Sequence, residues 1–292
     1  MSVLPVAGAS MEGKTCLVTG ATSGIGAVSA EVLARAGATV IVVSREAERC
    51  AETAARLRAV TGRAEEPIVA DLSSQADVRR VAATVLERYP RIDVLLNNAG
   101  AIFNRRLETV DGIEMTWALN HLNYFLLTNL LLDRLRASAP ARVVSVASDA
   151  HKGIKGIDFD DVEGKRRYGT IRAYCQSKLA NVMFTFELAR RLEGTGVTAN
   201  CVHPGFVNSS FFSDKGPLAA FFKLNARFFG SSPERGARTS IHVATAPEVA
   251  AINGRYFEKC KPAKSSAASL DVEAARRLWR LSETMTGLPV TA

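Results

Sequence analysis

The strongest constraint on this chain is an alternation that runs through its first two hundred residues. Short β-branched runs take turns with longer amphipathic stretches. "KTCLVTG" (14–20), "ATVIVVSR" (38–45), "EEPIVADLS" (65–73), "IDVLLNNAG" (92–100), "ARVVSVAS" (141–148) and "TANCVHPG" (198–205) read as strands, and "GRYFEKC" (254–260) as a seventh. Between them, "GAVSAEVLARAG", "EAERCAETAARLRAVTG", "SQADVRRVAATVLERYP" and the long "MTWALNHLNYFLLTNLLLDRLRAS" carry helical spacing. Strands that are apolar throughout and alternate with helices belong to a parallel sheet covered on both faces. The expectation is one doubly wound α/β domain of about seven strands over residues 12–286, preceded by a loose tail at 1–11. Two segments break the rhythm: a polar loop at 149–172 and a phenylalanine-rich insertion at 206–232.

Composition excludes several alternatives. No run of about 18 apolar residues lacks a charge, so no membrane span is expected. The first ten residues lack the basic start and apolar core of a signal peptide. Five cysteines with no CxxC pair point to a reducing cytoplasm rather than a disulfide framework or a zinc site. The four histidines have no metal-ligand spacing, so no metal is expected. The net charge of +8 invites a nucleic-acid reading, but the basic residues are scattered among acids and apolar residues without a like-charged block. Nucleic acid is not an expected partner.

"TGATSGIG" (19–26) joins the first strand to the first helix. Gly20 permits a tight turn, Gly24 lets backbone approach a ligand, and Gly26 lets helix and strand pack closely. The new helix offers free N–H groups and a positive dipole end, the usual seat of a dinucleotide pyrophosphate. At the first strand–helix junction of an α/β chain this marks a Rossmann-type site, although its GxxxGxG spacing differs from GxGxxG. The second strand ends with Ser44 and Arg45, followed by Glu46. A basic residue there receives the 2′-phosphate of NADP, whereas an acid would bond the 2′-hydroxyl of NAD. Glu46 is expected to face the helix start, so NADP(H) is the expected cofactor.

"AYCQSKLAN" (173–181) places Tyr174 four residues before Lys178, on one face of a helix. Cys175 should point about 100° away from Tyr174 and serve packing. Tyr168, with Arg172 four residues on, is the rival phenol, but it sits in the polar loop without a lysine.

With "DL" at 71–72, "NNAG" at 97–100, "ALN" at 118–120, "VAS" ending the fifth strand, "YCQSK" and "HPG" at 203–205, the chain resembles the short-chain dehydrogenase/reductase family from end to end. "NHLNYFLLT", "ASDAHKGI" and "GRYFEKCKPAKSS" resemble its retinol dehydrogenase-like branch. The resemblance implies hydride transfer between a nicotinamide and an alcohol or carbonyl. Tyr174 would give or take the proton on oxygen. Lys178 would stabilise the phenolate and bond the nicotinamide ribose, Ser148 would hold the substrate oxygen, and Asn120 would anchor a water leading to Lys178. Ser177 would support the turn.

The resemblance also implies cofactor contacts at Thr22, Ser23 and Ile25 within the glycine turn. Asp71 and Leu72 would border the adenine, Asn98, Ala99 and Gly100 the ribose, and Pro204, Gly205 and Val207 the nicotinamide. Ser209 stands where relatives often carry a threonine. Regulatory proteins on the same fold, which sense a dinucleotide without turning it over, usually lose the tyrosine or the lysine; here all four catalytic positions are filled.

The insertion carries Phe206, Phe211, Phe212, Phe221, Phe222, Phe228 and Phe229 after the sixth strand. Ligands bind beyond the carboxyl ends of such strands, so the segment is expected to form an apolar lid over a lipophilic substrate. The alternatives are packing onto the core or onto a second copy in a homo-oligomer, and shallow membrane contact through Lys215, Lys223 and Arg227.

Overall fold

Eight strands form one sheet in the order β3-β2-β1-β4-β5-β6-β7-β8, all parallel except the last pair. The computed structural model describes residues 10–62, 64–207 and 231–289. The strands are β1 Thr15–Thr19, β2 Thr39–Ser44, β3 Ile68–Val69, β4 Val94–Asn97, β5 Ala141–Val146, β6 Val197–His203, β7 Tyr256–Glu258 and β8 Lys261–Ala263. The chain runs outward from β1 through β2 to β3, then returns past β1 to start the other half at β4. That reversal leaves a crevice at the carboxyl ends of β1 and β4.

Alternate residues of each strand feed two cores. Leu17, Ile41, Leu95 and Val143 face the layer of α3 (Gln75–Arg88), α4 (115–130) and α6 (Thr170–Arg191), which α8 (Val272–Thr286) completes with Trp279. Cys16, Val18, Val42 and Val144 face α1 (Gly24–Arg35), α2 (Ala47–Thr61) and α7 (Pro233–Thr245). With both faces covered, the strands are apolar throughout instead of alternating with polar residues.

Four expectations change. The stretch 115–138 is not one helix: α4 begins at Met115–Trp117, widens into a π turn at Ala118–Leu122 and resumes at Asn123–Leu130, and α5 follows at Leu132–Ala137. The stretch read as a third strand pairs only at Ile68–Val69, because it lies at the sheet edge with β2 as its one partner. The seventh strand is a hairpin, giving eight strands. Its turn sets Lys259 at φ 50° and Cys260 at φ 62°, the two-residue reversal that glycine or asparagine usually signals. Neither is present, so "GRYFEKC" reads as one strand.

The polar loop also holds a 3-10 turn, Asp149–Gly153. Ser209 and the phenylalanines from 211 onward lie outside the described residues; Phe206 and Val207 lie within them.

Candidate active site

The crevice is a cleft of about 630 Å³. Its floor is the turn after β1. Gly20 has φ 65° and Gly24 φ 52°, conformations that glycine adopts without a Cβ penalty. A Cβ on Gly20 would sit 2.9 Å from Ala99 Cα, and one on Gly26 would overlap the Gly20 carbonyl oxygen. The turn is thus closed by bare backbone, and α1 starts there with Ser23 as an N-cap whose side chain makes no capping bond. The unpaired N–H groups of that first turn suit a pyrophosphate.

Asn98 stitches the two halves of the sheet together. Its Nδ2 donates to Thr19 O (2.8 Å) and Gly20 O (3.2 Å), while its backbone N–H and that of Ala99 donate to Thr19 Oγ1. Gly100 follows, where an added Cβ would meet Asn120 Oδ1 at 3.0 Å and Lys178 Nζ at 3.6 Å.

At the far end of β2, the Ser44 hydroxyl bonds Thr22 Oγ1 at 2.8 Å. Arg45 is 61% exposed, so its guanidinium is accessible to a ligand. Glu46 was expected to turn into the helix start. It is the α2 N-cap, yet it also lines the cleft, with Arg45 3.9 Å and Arg49 3.1 Å from its carboxylate. Arg49 also lines the cleft. It was missed, although its place in the first turn of the helix that opens just after the end of β2 was a readable signal. Asp71 accepts from the backbone N–H and the hydroxyl of Ser73, and borders the cleft with Leu72.

The other end holds the chemistry. Ser148 follows β5, and its Oγ accepts from the Ala150 amide at 3.2 Å. Tyr174 on α6 is hydrogen-bonded to Ser148. Burial pushes its phenol above the ordinary value, and the bond with Ser148 partly opposes this. Lys178 is 2% exposed, and its Nζ donates to Val146 O at 3.0 Å. The same Nζ lies 5.8 Å from the centre of the Tyr174 ring and 5.9 Å from that of Tyr124. Desolvation pulls the ammonium down to about 7.

Asn120 does not line the cleft. From the π turn, its Oδ1 accepts from Ala101 N (2.9 Å) while Nδ2 donates to Ala101 O and Ser177 Oγ (both 3.0 Å). Ser177 in turn donates to Tyr174 O at 2.8 Å. The side chain is a bracket that ties the loop after β4 to the turn of α6 bearing Tyr174.

Every expected cofactor residue within the described part lines the cleft: the glycine turn from Gly20 to Gly26, Ser44 and Arg45, Asp71 and Leu72, Asn98 to Gly100, Tyr174, Lys178, Pro204, Gly205 and Val207. Ser209 lies outside it. Cys175 corrects an expectation: it is 6% exposed and packs its sulfur against Gly153, yet it borders the cleft as well. Tyr168 bonds Glu114 at 3.3 Å and is not part of the cleft wall. Ile102, Leu119, Ile171 and Phe206 give the wall an apolar stretch. Among the described residues no cluster of His, Cys, Asp and Glu could hold a metal, and no helix is long and apolar enough to cross a membrane.

A dinucleotide-type crevice ending in a Ser–Tyr–Lys constellation defines an oxidoreductase of CH–OH and C=O groups. The short chain dehydrogenase family model matches residues 14–217, and the chain belongs to that family. It is 43% identical to human (Homo sapiens) retinol dehydrogenase 14, covering 95% of this chain and 88% of that relative. It is also 43% identical to human retinol dehydrogenase 13, over 96% and 86%. A solved structure of an uncharacterized protein from Mycobacterium Paratuberculosis superposes with a TM-score of 0.79 at 34% identity, covering 98% of both chains. The Pseudomonas aeruginosa RhlG/NADP active-site complex superposes with a TM-score of 0.68 at 33% identity, covering 85% of this chain and 95% of that one.

Proposed function

We propose that the protein uses NADP(H) to interconvert a lipophilic alcohol and its carbonyl. The observation that carries this is a single cleft with two arginines at the β2 end and Tyr174, Ser148 and an apolar wall at the other. The bare-backbone turn at Gly20 and Gly26 fits a dinucleotide, since a Cβ at either position would fill the space. When bound, the nicotinamide supplies or accepts the hydride.

The protein's own groups handle charge on oxygen. Ser148 Oγ accepts from the Ala150 amide, so its proton is directed to a second partner, the substrate oxygen or Tyr174. Tyr174 delivers the proton during reduction and removes it during oxidation. A buried phenol is a poor base, and the Lys178 charge beside it opposes that penalty by favouring phenolate. Thr22, Ser44, Arg45 and Arg49 would receive the adenosine 2′-phosphate. Ile102, Leu119, Ile171 and Phe206 would hold an apolar chain against the reacting carbon.

Several relatives are retinol dehydrogenases and one solved relative is an NADP complex, which supports both halves of the reading. A retinoid-like compound is one candidate among lipophilic substrates, and the free thiols suit a reducing cytoplasm. The test follows NADPH and NADH consumption across a homologous aldehyde series. Efficiency should rise with chain length and favour NADPH. Equal rates for short polar and long apolar aldehydes would sink the lipophilic reading, and equal affinity for the two cofactors would sink the other half.

A further inference from the structure

The residues just past Ser148 are tied down more thoroughly than a surface turn requires. His151 is completely buried. Its ring Nδ1 lies 2.7 Å from Ser148 O, the same carbonyl that accepts its backbone N–H at 3.1 Å. Its Nε2 accepts from the Ser266 amide at 3.0 Å, 115 residues downstream in the segment after β8. A backbone amide can only donate, so Nε2 is bare and Nδ1 carries the hydrogen.

The ring also packs 5.0 Å from that of Tyr256 on β7. Tyr256 donates its hydroxyl to Asp149 Oδ1 at 2.8 Å, Lys152 pairs with the same oxygen at 2.6 Å, and the Asp149 amide donates to His203 Nδ1 at 3.2 Å. Asp149 and His151, which follow the carbonyl of Ser148, are thereby held by β6, β7 and the segment after β8.

We propose that His151 is the positioning residue of Ser148, a bridge through which the segment after β8 sets the direction of the catalytic hydroxyl. Two donors on one carbonyl fix the peptide plane after Ser148, and with Ser148 at φ −166° and ψ 153° that plane sets the direction of its Cα–Cβ bond. Displacing a reacting group by about 1 Å can cost about a hundredfold in rate. A second hydrogen on Nε2 would confront the Ser266 N–H, so the bridge works only with the neutral ring. Burial holds the ring below its ordinary value. The bond to Ser148 opposes this, Lys152 and His203 reinforce it, and Asp149 opposes it. The role in turnover rests on the proposed reaction; the bridge itself does not.

Two arms test it. On an aldehyde that the protein reduces, His151→Leu should lower kcat about tenfold to a hundredfold, with NADP(H) affinity within about twofold of wild type. His151→Asn can still donate to Ser148 from the Nδ1 position but does not reach Ser266, and should recover part of that loss. His151→Gln reaches Ser266 and not Ser148, and should stay slow. A leucine variant as fast as wild type, or an asparagine variant as slow as leucine, overturns the proposal. If His151→Leu fails to fold, Ser266→Pro against Ser266→Ala decides. Ser266 has φ −69°, which proline shares, so proline removes the amide hydrogen while alanine keeps it. Proline should be slower than alanine, and equal kcat overturns the proposal. The second arm needs no substrate: ring 15N shifts of the wild-type protein should show His151 protonated at Nδ1 only. The Nε2–H tautomer overturns the bridge, whereas failure to reduce any aldehyde overturns the substrate reading alone.

Discussion

Lys178 Nζ sits 5.8 Å from the centre of the Tyr174 ring and is anchored by the carbonyl of Val146, the last residue of β5. A strand end and one helical turn thus hold an ammonium beside a phenol in a site that desolvates both. Tyr174→Phe removes the proposed proton donor and leaves the lysine in place. Turnover should fall at least about a hundredfold while NADPH affinity, read by fluorescence titration, changes little. Near-normal turnover would mean that another group moves the proton.

Lys178 also makes stability depend on pH. Burial lowers it from 10.5 to about 7, so between those values the unfolded chain binds one more proton than the folded one. Its penalty is fully present below pH 7 and is relieved as pH rises. Wild type should gain stability relative to Lys178→Met at about 1.4 kcal/mol per pH unit across pH 7–10. Above pH 10 the unfolded chain begins to release the Tyr174 proton while the folded one keeps it, which lowers the stability of both proteins alike and leaves their difference unchanged. Denaturant melts of both proteins at several pH values check the slope; parallel curves would refute it.

Arg45 and Arg49 bracket Glu46 at the cleft edge. Arg45→Asp should shift preference from NADPH towards NADH, since a carboxylate repels the 2′-phosphate. One charge-assisted contact is worth about 1.5–3 kcal/mol, or about one to two decades of affinity. Arg49→Ala should weaken NADPH in the same direction and leave NADH nearly unchanged. Dissociation constants for both cofactors decide it.

Gly26 packs its Cα under the Gly20 carbonyl and 2.5 Å separates an added Cβ from Asn98 Nδ2. Gly26→Ala should cost about 1–3 kcal/mol of stability. It should also weaken cofactor binding, because the turn proposed to meet the pyrophosphate must shift. A calorimetric melt with and without NADPH separates the two effects.

Phe206 is 47% exposed at the mouth of the cleft. Phe206→Ser should flatten the rise of kcat/KM with aldehyde chain length and spare NADPH affinity. An unchanged slope would place apolar recognition elsewhere in the wall.

The chain order of strands and helices, the glycine turn and the Tyr174–Lys178 pair were legible in the residues themselves. Each rests on short-range physics: continuous apolar β-branched runs, a helical periodicity of 3.6 residues, a backbone conformation open to glycine, and a four-residue helical spacing. These cues do not depend on what lies across the sheet, and they place the floor of the cleft and the Tyr174–Lys178 pair. What only the tertiary structure decided are the relationships between distant residues. The π turn that makes Asn120 a bracket to Ala101 and Ser177, the hairpin that adds β8, and the position of Arg49 at the cleft edge depend on packing. So do the lowered Lys178 ammonium and the tie from His151 to Ser266. Burial and hydrogen bonds between segments far apart in sequence create these effects, and no local pattern carries them.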